Sequence, residues 1–287
     1  MKRSLKMTKM LRGSKGVSLI ELLVALVVSA ILIAGLYRTF IGQQKTYTVQ
    51  EQVVDMQQSA RLAISKMMKE IRMAGFGNVA MILPSATFGS KTLSNAITHD
   101  TPAGGITVIT VGGETTIATD PVSPNQIQVT SLTDSQGNTL FDASNRRYIS
   151  VGGLGGYRIT SVDIGTKTLT LSGNLLQTPT SGTPVFALRA ISYQVDGGTN
   201  TLRRDMNLGA GLEILADNIT SLQLEYRDAA GAVIANPVAQ AANIRVVRVT
   251  VTARTEISDP DYKTTSDGRR TRTVTSNIQV RNMGLGS

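Results

Sequence analysis

The stretch Gly16-Val17-Ser18-Leu19-Ile20-Glu21-Leu22-Leu23-Val24-Ala25-Leu26-Val27-Val28-Ser29-Ala30-Ile31-Leu32-Ile33-Ala34-Gly35-Leu36-Tyr37 decides how the rest of the chain is read. From Val17 to Tyr37 it is apolar apart from Ser18, Ser29 and one carboxylate, Glu21. A run of about 20 apolar residues is long enough to cross a bilayer as a helix. An acid at the centre of such a helix costs about 2.5–3.5 kcal/mol, and less toward an interface, so a chain that keeps Glu21 has a use for it. Just upstream stand Lys2, Arg3, Lys6, Lys9, Arg12 and Lys15, with no acid among residues 1–15. Positive flanks stay on the cytoplasmic side, which predicts a cytoplasmic N-terminus and everything after Tyr37 outside.

A secretory signal would have a shorter apolar core followed by a small-residue cleavage site. Here the small residue, Gly16, precedes the apolar run. This order resembles the prepilin signal of type IV pilins and type II secretion pseudopilins, in which a short basic leader ends in Gly, the next residue becomes the methylated N-terminus, and a Glu follows four residues later. Gly16, Val17 and Glu21 match position by position, with Val17 in place of the usual Phe. The resemblance implies cleavage by prepilin peptidase between Gly16 and Val17, N-methylation of Val17, and an assembly role for Glu21 as the partner of a Val17 amine.

Formal charge is +9, but six positives lie in residues 1–16, so a chain without that leader carries +3. The high pI is thus largely a targeting feature and no argument for nucleic acid. There is no cysteine, which excludes disulfides, thiolate chemistry and Cys-based metal sites. A domain of this size buries enough core without staples.

The helical pattern continues past the apolar run. Val49, Val53, Met56, Ala60, Ala63, Met67, Ile71 and Ala74 recur at steps of three and four, one face of an α-helix. Lys66 and Glu70 form an i,i+4 pair, expected to give a small local gain only. No proline interrupts Val17–Leu83, and Gly75 and Gly77 supply a stop. A single helix from Val17 to Ala74 would be about 85 Å long. Gly35 and Gly42 are its weak points, each costing roughly 1 kcal/mol against Ala.

Residues 78–125 read as mixed and loop-rich, with Pro84, Pro102, Pro121 and Pro124 and one strand at Ile106–Val111. Short alternating strands follow at Gln126–Ser131, Tyr157–Val162, Thr168–Ser172 and Pro184–Ser192, separated by Gly- and Asn-containing turns. Ile191–Arg204 reads as a hairpin turning at Asp196-Gly197-Gly198. Leu222, Leu224 and Tyr226 alternate with polar residues. The clearest strands are the last two: Val247, Val249, Val251 and Ala253, then Val274, Ile278 and Val280, each alternate with polar neighbours. They predict a long hairpin with one buried face, joined by the polar loop Ser258–Arg269 with Pro260, and that face is the natural floor for the helix stripe. The expected fold is therefore α+β and pilin-like. Its segments are a leader (1–16), a membrane-spanning part of the helix (17–37), an amphipathic continuation (38–77), and a periplasmic domain of antiparallel β-sheet (78–287).

Within the pilin superfamily the chain resembles the PilW-type minor pilins. Glu70-Ile71-Arg72-Met73-Ala74-Gly75-Phe76, Ile191–Arg204, Leu212–Asp228 and Ser276–Asn282 carry that likeness; residues 79–183 carry none. J-type pseudopilins of type II secretion share several of these landmarks. The resemblance implies a structural protein of the inner membrane and the assembled pilus, with major and minor pilins, the prepilin peptidase and the inner-membrane assembly platform as partners.

Catalytic readings find little support, and no enzyme, cofactor or metal site is expected. His99 is the sole histidine, in what reads as a polar loop, Asn95–Thr101. Asp259, Asp261 and Asp267 lack EF-hand spacing. Gly152-Gly153-Leu154-Gly155-Gly156 follows no strand-to-helix pattern and reads as a turn. Lys263, Arg269, Arg270 and Arg272 cluster in the last hairpin and could touch DNA phosphates. Interleaved aspartates favour a solvated loop instead.

Overall fold

The computed structural model describes residues 16–83, 85–100, 104–259 and 261–283. The basic residues Lys2–Lys15 and the loop prolines Pro84, Pro102 and Pro260 lie outside the described residues. What is described is α+β: one long N-terminal helix followed by antiparallel sheets. It divides into two compact units, between Glu51 and Gln52.

Helix α1 runs Leu19–Arg72. Its start is set by the Ser18 carbonyl, which accepts from the Glu21 and Leu22 amides at 3.0 and 3.2 Å. Its most apolar 18 residues average a mean hydropathy of 2.8, long and apolar enough to cross a membrane. In the first unit no large apolar side chain from Val17 to Ile41 is buried; Leu19 is 80% exposed and Leu36 70%. In the second unit the expected stripe is the buried face: Met56, Ala60, Ala63, Met67, Ile71 and Ala74, joined by Ile64.

The helix ends two residues before the expected Ala74, at the glycines that follow. Gly75 and Gly77 have φ of +78° and +83°. A Cβ on Gly77 would collide with Ser150, so this position needs glycine for both conformation and space. Gly77→Ala is expected to cost about 2–3 kcal/mol, the sum of left-handed strain and displacement of Ser150. Chemical denaturation of the full chain in detergent measures it, and a loss below 0.5 kcal/mol, roughly the size of a neutral surface change, would show that the turn relaxes.

The strands are β1 Ala86–Phe88, β2 Lys91–Leu93, β3 Ile97–Asp100, β4 Gly105–Thr119, β5 Gln126–Val129, β6 Tyr148–Val151, β7 Gly155–Asp163, β8 Thr168–Leu171, β9 Pro184–Asp196, β10 Thr201–Asp205, β11 Glu213–Ala216, β12 Ile219–Arg227, β13 Val246–Arg254 and β14 Thr271–Gln279. Strands β12-β13-β14 form one sheet, in which Val247 pairs with Tyr226 and Ile278, and Val251 with Leu222 and Val274. The buried face of β13 (Val247, Val249, Val251, Ala253) shares one core with the helix stripe, as its alternation predicts.

The region expected to be loop-rich is not. β1, β2 and β3 occupy residues 86–100, and β4 runs fifteen residues, containing the expected strand Ile106–Val111 and continuing past it through Gly112-Gly113. That pair is a bulge between Val111 and Gly113. A Cβ at Gly112 would strike the Arg189 side chain, and one at Gly113 would strike Leu140. The glycines thus bend the strand and leave room for what lies across it. Beyond the bulge, β4 pairs with β5, β5 with β8, β8 with β7, β7 with β6, β6 with β9, and β9 again with β4. Six strands therefore close into a small antiparallel barrel. Its core is made by inward residues of every strand, among them Ile117, Ile127, Ile149, Ile159, Leu169 and Val185, and is plugged by Leu140 and Phe141. Below the bulge the same two long strands belong to the helix-bearing core through Ile106, Val108, Ile191 and Tyr193.

Candidate functional site

At the N-terminal junction, a Cβ placed on Gly16 meets nothing within 4 Å among the described residues. The described fold therefore sets no steric limit on the residue at 16. Glu21 lies in the first turn of α1, four residues after Val17. Helix N-termini carry partial positive charge, so a carboxylate is favourable in that turn and an additional ammonium is not. An amine created at Val17 would stand at the unfavourable end with Glu21 one turn away.

A second cluster forms at the other end of the helix. Glu70, read from sequence as a local partner of Lys66, does more than that. Its carboxylate is 12% exposed, accepts from Arg204 Nη2 at 2.8 Å and from Tyr193 Oη, and lies 3.6 Å from Lys66 Nζ. Tyr193 and Arg204 are direct cross-strand partners in β9–β10, so the hairpin register puts both on one face toward the helix. Burial and then the Glu70 charge push the Tyr193 hydroxyl far above its ordinary range, so it stays a donor. Burial alone would lower the Arg204 guanidinium, but the Glu70 carboxylate outweighs it and the net shift is upward. Two further ties close this end: the Arg281 amide donates to the Arg72 carbonyl at 3.1 Å and the Gly75 amide to the Ile109 carbonyl at 3.0 Å. The stretches Glu70–Phe76, Ile191–Arg204 and Ser276–Asn282, far apart in sequence, thus meet around the last turns of one helix.

The remaining candidates fall elsewhere. His99 is in β3 and not in a loop; its Nδ1 lies 3.1 Å from Tyr226 Oη, and the two rings meet edge to face. The short apolar anchor Ile97, fully buried, makes a strand of a segment whose polar residues suggested a loop. Asp259 pairs with Arg270 at 3.1 Å, and Asp267 lies 3.6 Å from Arg254. Arg269 donates to the carbonyls of Thr255 and Glu256, and the Arg270 guanidinium sits 4.8 Å over the Tyr262 ring. Two of the four cations proposed for phosphate contact are therefore engaged in folding their own loop. Of Gly152–Gly156, residues 152–154 make the β6–β7 turn, with Gly152 and Gly153 at positive φ, while Gly155 and Gly156 open β7 and pair with Val151 and Ser150.

Sequence reasoning missed Tyr193 and Arg204. The signal was present: a hairpin that turns over 197–200 pairs position 193 with 204, and Glu70 borders the buried stripe between Met67 and Ile71. It missed Arg189 as well, a buried guanidinium on β9 that donates to the Leu140 and Leu188 carbonyls and whose pKa burial, with Arg146 nearby, pulls down to about 10.

No curated protein matches the chain significantly. Residues 11–37 match the family described as the prokaryotic N-terminal methylation motif. The chain therefore carries a prepilin-type N-terminal methylation motif followed by a long apolar helix, a combination that implies processing by prepilin peptidase, membrane anchoring and assembly with pilins in a pilus or pseudopilus.

Proposed function

We propose that the chain is a non-enzymatic, PilW-like minor pilin that enters the inner membrane through α1, N-terminus in the cytoplasm and β-domain in the periplasm, and helps prime or cap a type IV pilus. The observation that carries this reading is Gly16 set just before a helix whose apolar side chains are exposed as far as Ile41 and whose first turn holds a single carboxylate. Gly16–Val17 is the bond cut, Val17 the residue methylated, and Glu21 the partner of a Val17 ammonium, its own or a neighbour's. In hydrocarbon an ammonium and a carboxylate are each costly alone, and pairing them offsets part of that cost. The exposed apolar side chains of α1 from Leu19 to Ile41 suit packing against lipid before assembly and other pilin helices after it.

Mass and N-terminal analysis of the protein from membranes of cells with an active prepilin peptidase tests the reading. The expected product lacks residues 1–16 and begins at methylated Val17. Gly16→Ala should be processed, more slowly, and a large residue at 16 should block cutting. Among the described residues no atom crowds Gly16, so a block of cutting without loss of membrane-resident protein would point to the peptidase rather than to misfolding. Retention of Met1 in those cells would overturn the assignment. A J-type pseudopilin would be cut in the same way; recovery from sheared surface filaments selects the pilus.

A further inference from the structure

The sheets of the second unit end in several edges, and all but one are blunted. β3 and β11 are four residues each, and β1 and β2 three each. The edge of β12 is tied at both ends: the Ile219 amide donates to the Asn200 carbonyl, and the Ile234 amide donates to the Tyr226 carbonyl as residues 232–234 fold back beside it. The barrel closes on itself. β14 is different. It pairs with β13 through nine consecutive residues without a bulge, and among the described residues no other strand flanks it. Among the described residues no hydrogen bond reaches a backbone group of Thr271–Gln279 from any element but β13. Every second residue of a strand directs its N–H and C=O away from its one neighbour, so β14 presents a row of unmet ladder groups. Its residues Thr271, Thr273, Val274, Thr275 and Ile278 suit a strand, and neither proline nor bulge guards it.

Charge says what fits there. From Gly268 to Met283 the chain holds Arg269, Arg270, Arg272 and Arg281 and no acid. Arg270 is held by Asp259, and Arg269 lies 3.9 Å from Asp267. Arg272 and Arg281, one near each end of the strand, have no carboxylate partner among the described residues. Two copies of β14 paired antiparallel about Thr275 would set Arg269 against Arg281 at both ends, and parallel in-register pairing would stack each arginine on its twin. Like charges directly opposite destabilise a ladder. The edge is thus open as a backbone template and closed to its own copy.

We propose that β14 is a strand-addition site for an extended, acidic segment of another protein, whose backbone completes the sheet and whose carboxylates meet Arg272 and Arg281. This goes beyond helix packing and does not depend on cleavage at Gly16.

The test uses the full chain in detergent and a synthetic nine-residue probe of alternating threonine and valine with a glutamate near each end. One control has lysine for glutamate; a second has every backbone nitrogen of one edge methylated. Hydrogen exchange should show the acidic probe slowing amides within Thr271–Gln279 at least tenfold, with the amides of β3 and β11 unchanged. The lysine probe should bind at least tenfold more weakly, and the methylated one should give no protection. Arg272→Glu with Arg281→Glu should reverse the preference between the acidic and lysine probes; both positions are exposed or half-exposed, so the fold should persist, as unchanged exchange in β13 would confirm. Absence of protection in β14, equal protection by the methylated probe, or a detergent-stable homodimer that protects β14 without any probe would each overturn the proposal.

Discussion

Glu21→Val should yield a protein that is processed, resident in the membrane, and missing from filaments. The substitution removes a carboxylate from an apolar helix, so on transfer scales insertion should be neutral or favoured by up to about 3 kcal/mol. Cleavage should survive, since Gly16 and the residues before it are untouched. Assembly should fail, because a charged Val17 amine would enter a packed, water-free core without a partner, at a cost of roughly 3–5 kcal/mol. That is a drop of over a hundredfold in incorporation at equilibrium, read by immunoblot of sheared filaments against the membrane fraction. Glu21→Asp keeps the charge and shortens its reach by one methylene, so it should give an intermediate loss. Wild-type incorporation of Glu21→Val would refute the pairing and leave Glu21 as a residue tolerated at the membrane interface.

The second large effect belongs to Glu70. Truncation to Ala leaves Arg204, whose side chain is 14% exposed, without its counter-ion and Tyr193 Oη without its acceptor. Breaking a buried pair from one side costs about 3–5 kcal/mol, against a typical total stability of about 5–15 kcal/mol. For a domain of this size the midpoint should fall by about 6–20 °C. Replacing all three polar groups together (Glu70→Met, Tyr193→Phe, Arg204→Met) should recover most of the loss, since a well-packed apolar trio often matches a buried ion pair. Thermal unfolding of the full chain followed by circular dichroism reads both. A single-variant loss under 1 kcal/mol would mean that Lys66 or solvent supplies what Arg204 loses.

Much of this molecule was legible because its signals are periodic. The buried stripe of α1 and the alternation in β12, β13 and β14 each repeat often enough to fix both the element and its inward face. Gly75 and Gly77 marked the helix end to within two residues. In the segment 86–119 only the strand at Ile106–Val111 was legible, and it proved to be part of the longer β4. Its strands are three or four residues long or are interrupted by Gly112-Gly113, which locally has the chemistry of a turn. Whether a Gly-Gly pair ends a strand or bends it depends on Arg189 and Leu140, more than 25 residues away in sequence, and no local pattern encodes that. The barrel was invisible for the same reason: its closure rests on β9 pairing with β4 and β6 at once. At the N-terminal junction the order Gly16, Val17, Glu21 is itself the whole signal, and the structure adds only the place of Glu21 in the first turn of α1. The partnership of Glu70 with Tyr193 and Arg204 needed the hairpin register to be carried one step further, onto the helix.

The barrel leaves the helix-bearing core on β4 and returns on β9, and these two strands are paired neighbours at the point of departure, Val111 beside Leu188. Everything from Gly112 to Ala187 is therefore an excursion grafted onto a single hairpin. A pull on α1 would pass through Glu70 into β9–β10, and through the Arg72–Arg281 contact into the segment after β14, without having to traverse the graft. An excursion outside the tensile route can lengthen, shrink or change its surface with little penalty to the mechanical frame. A peptide tag or foreign loop placed in an outer turn of this graft is accordingly expected to disturb the path through Glu70 and Arg72 least.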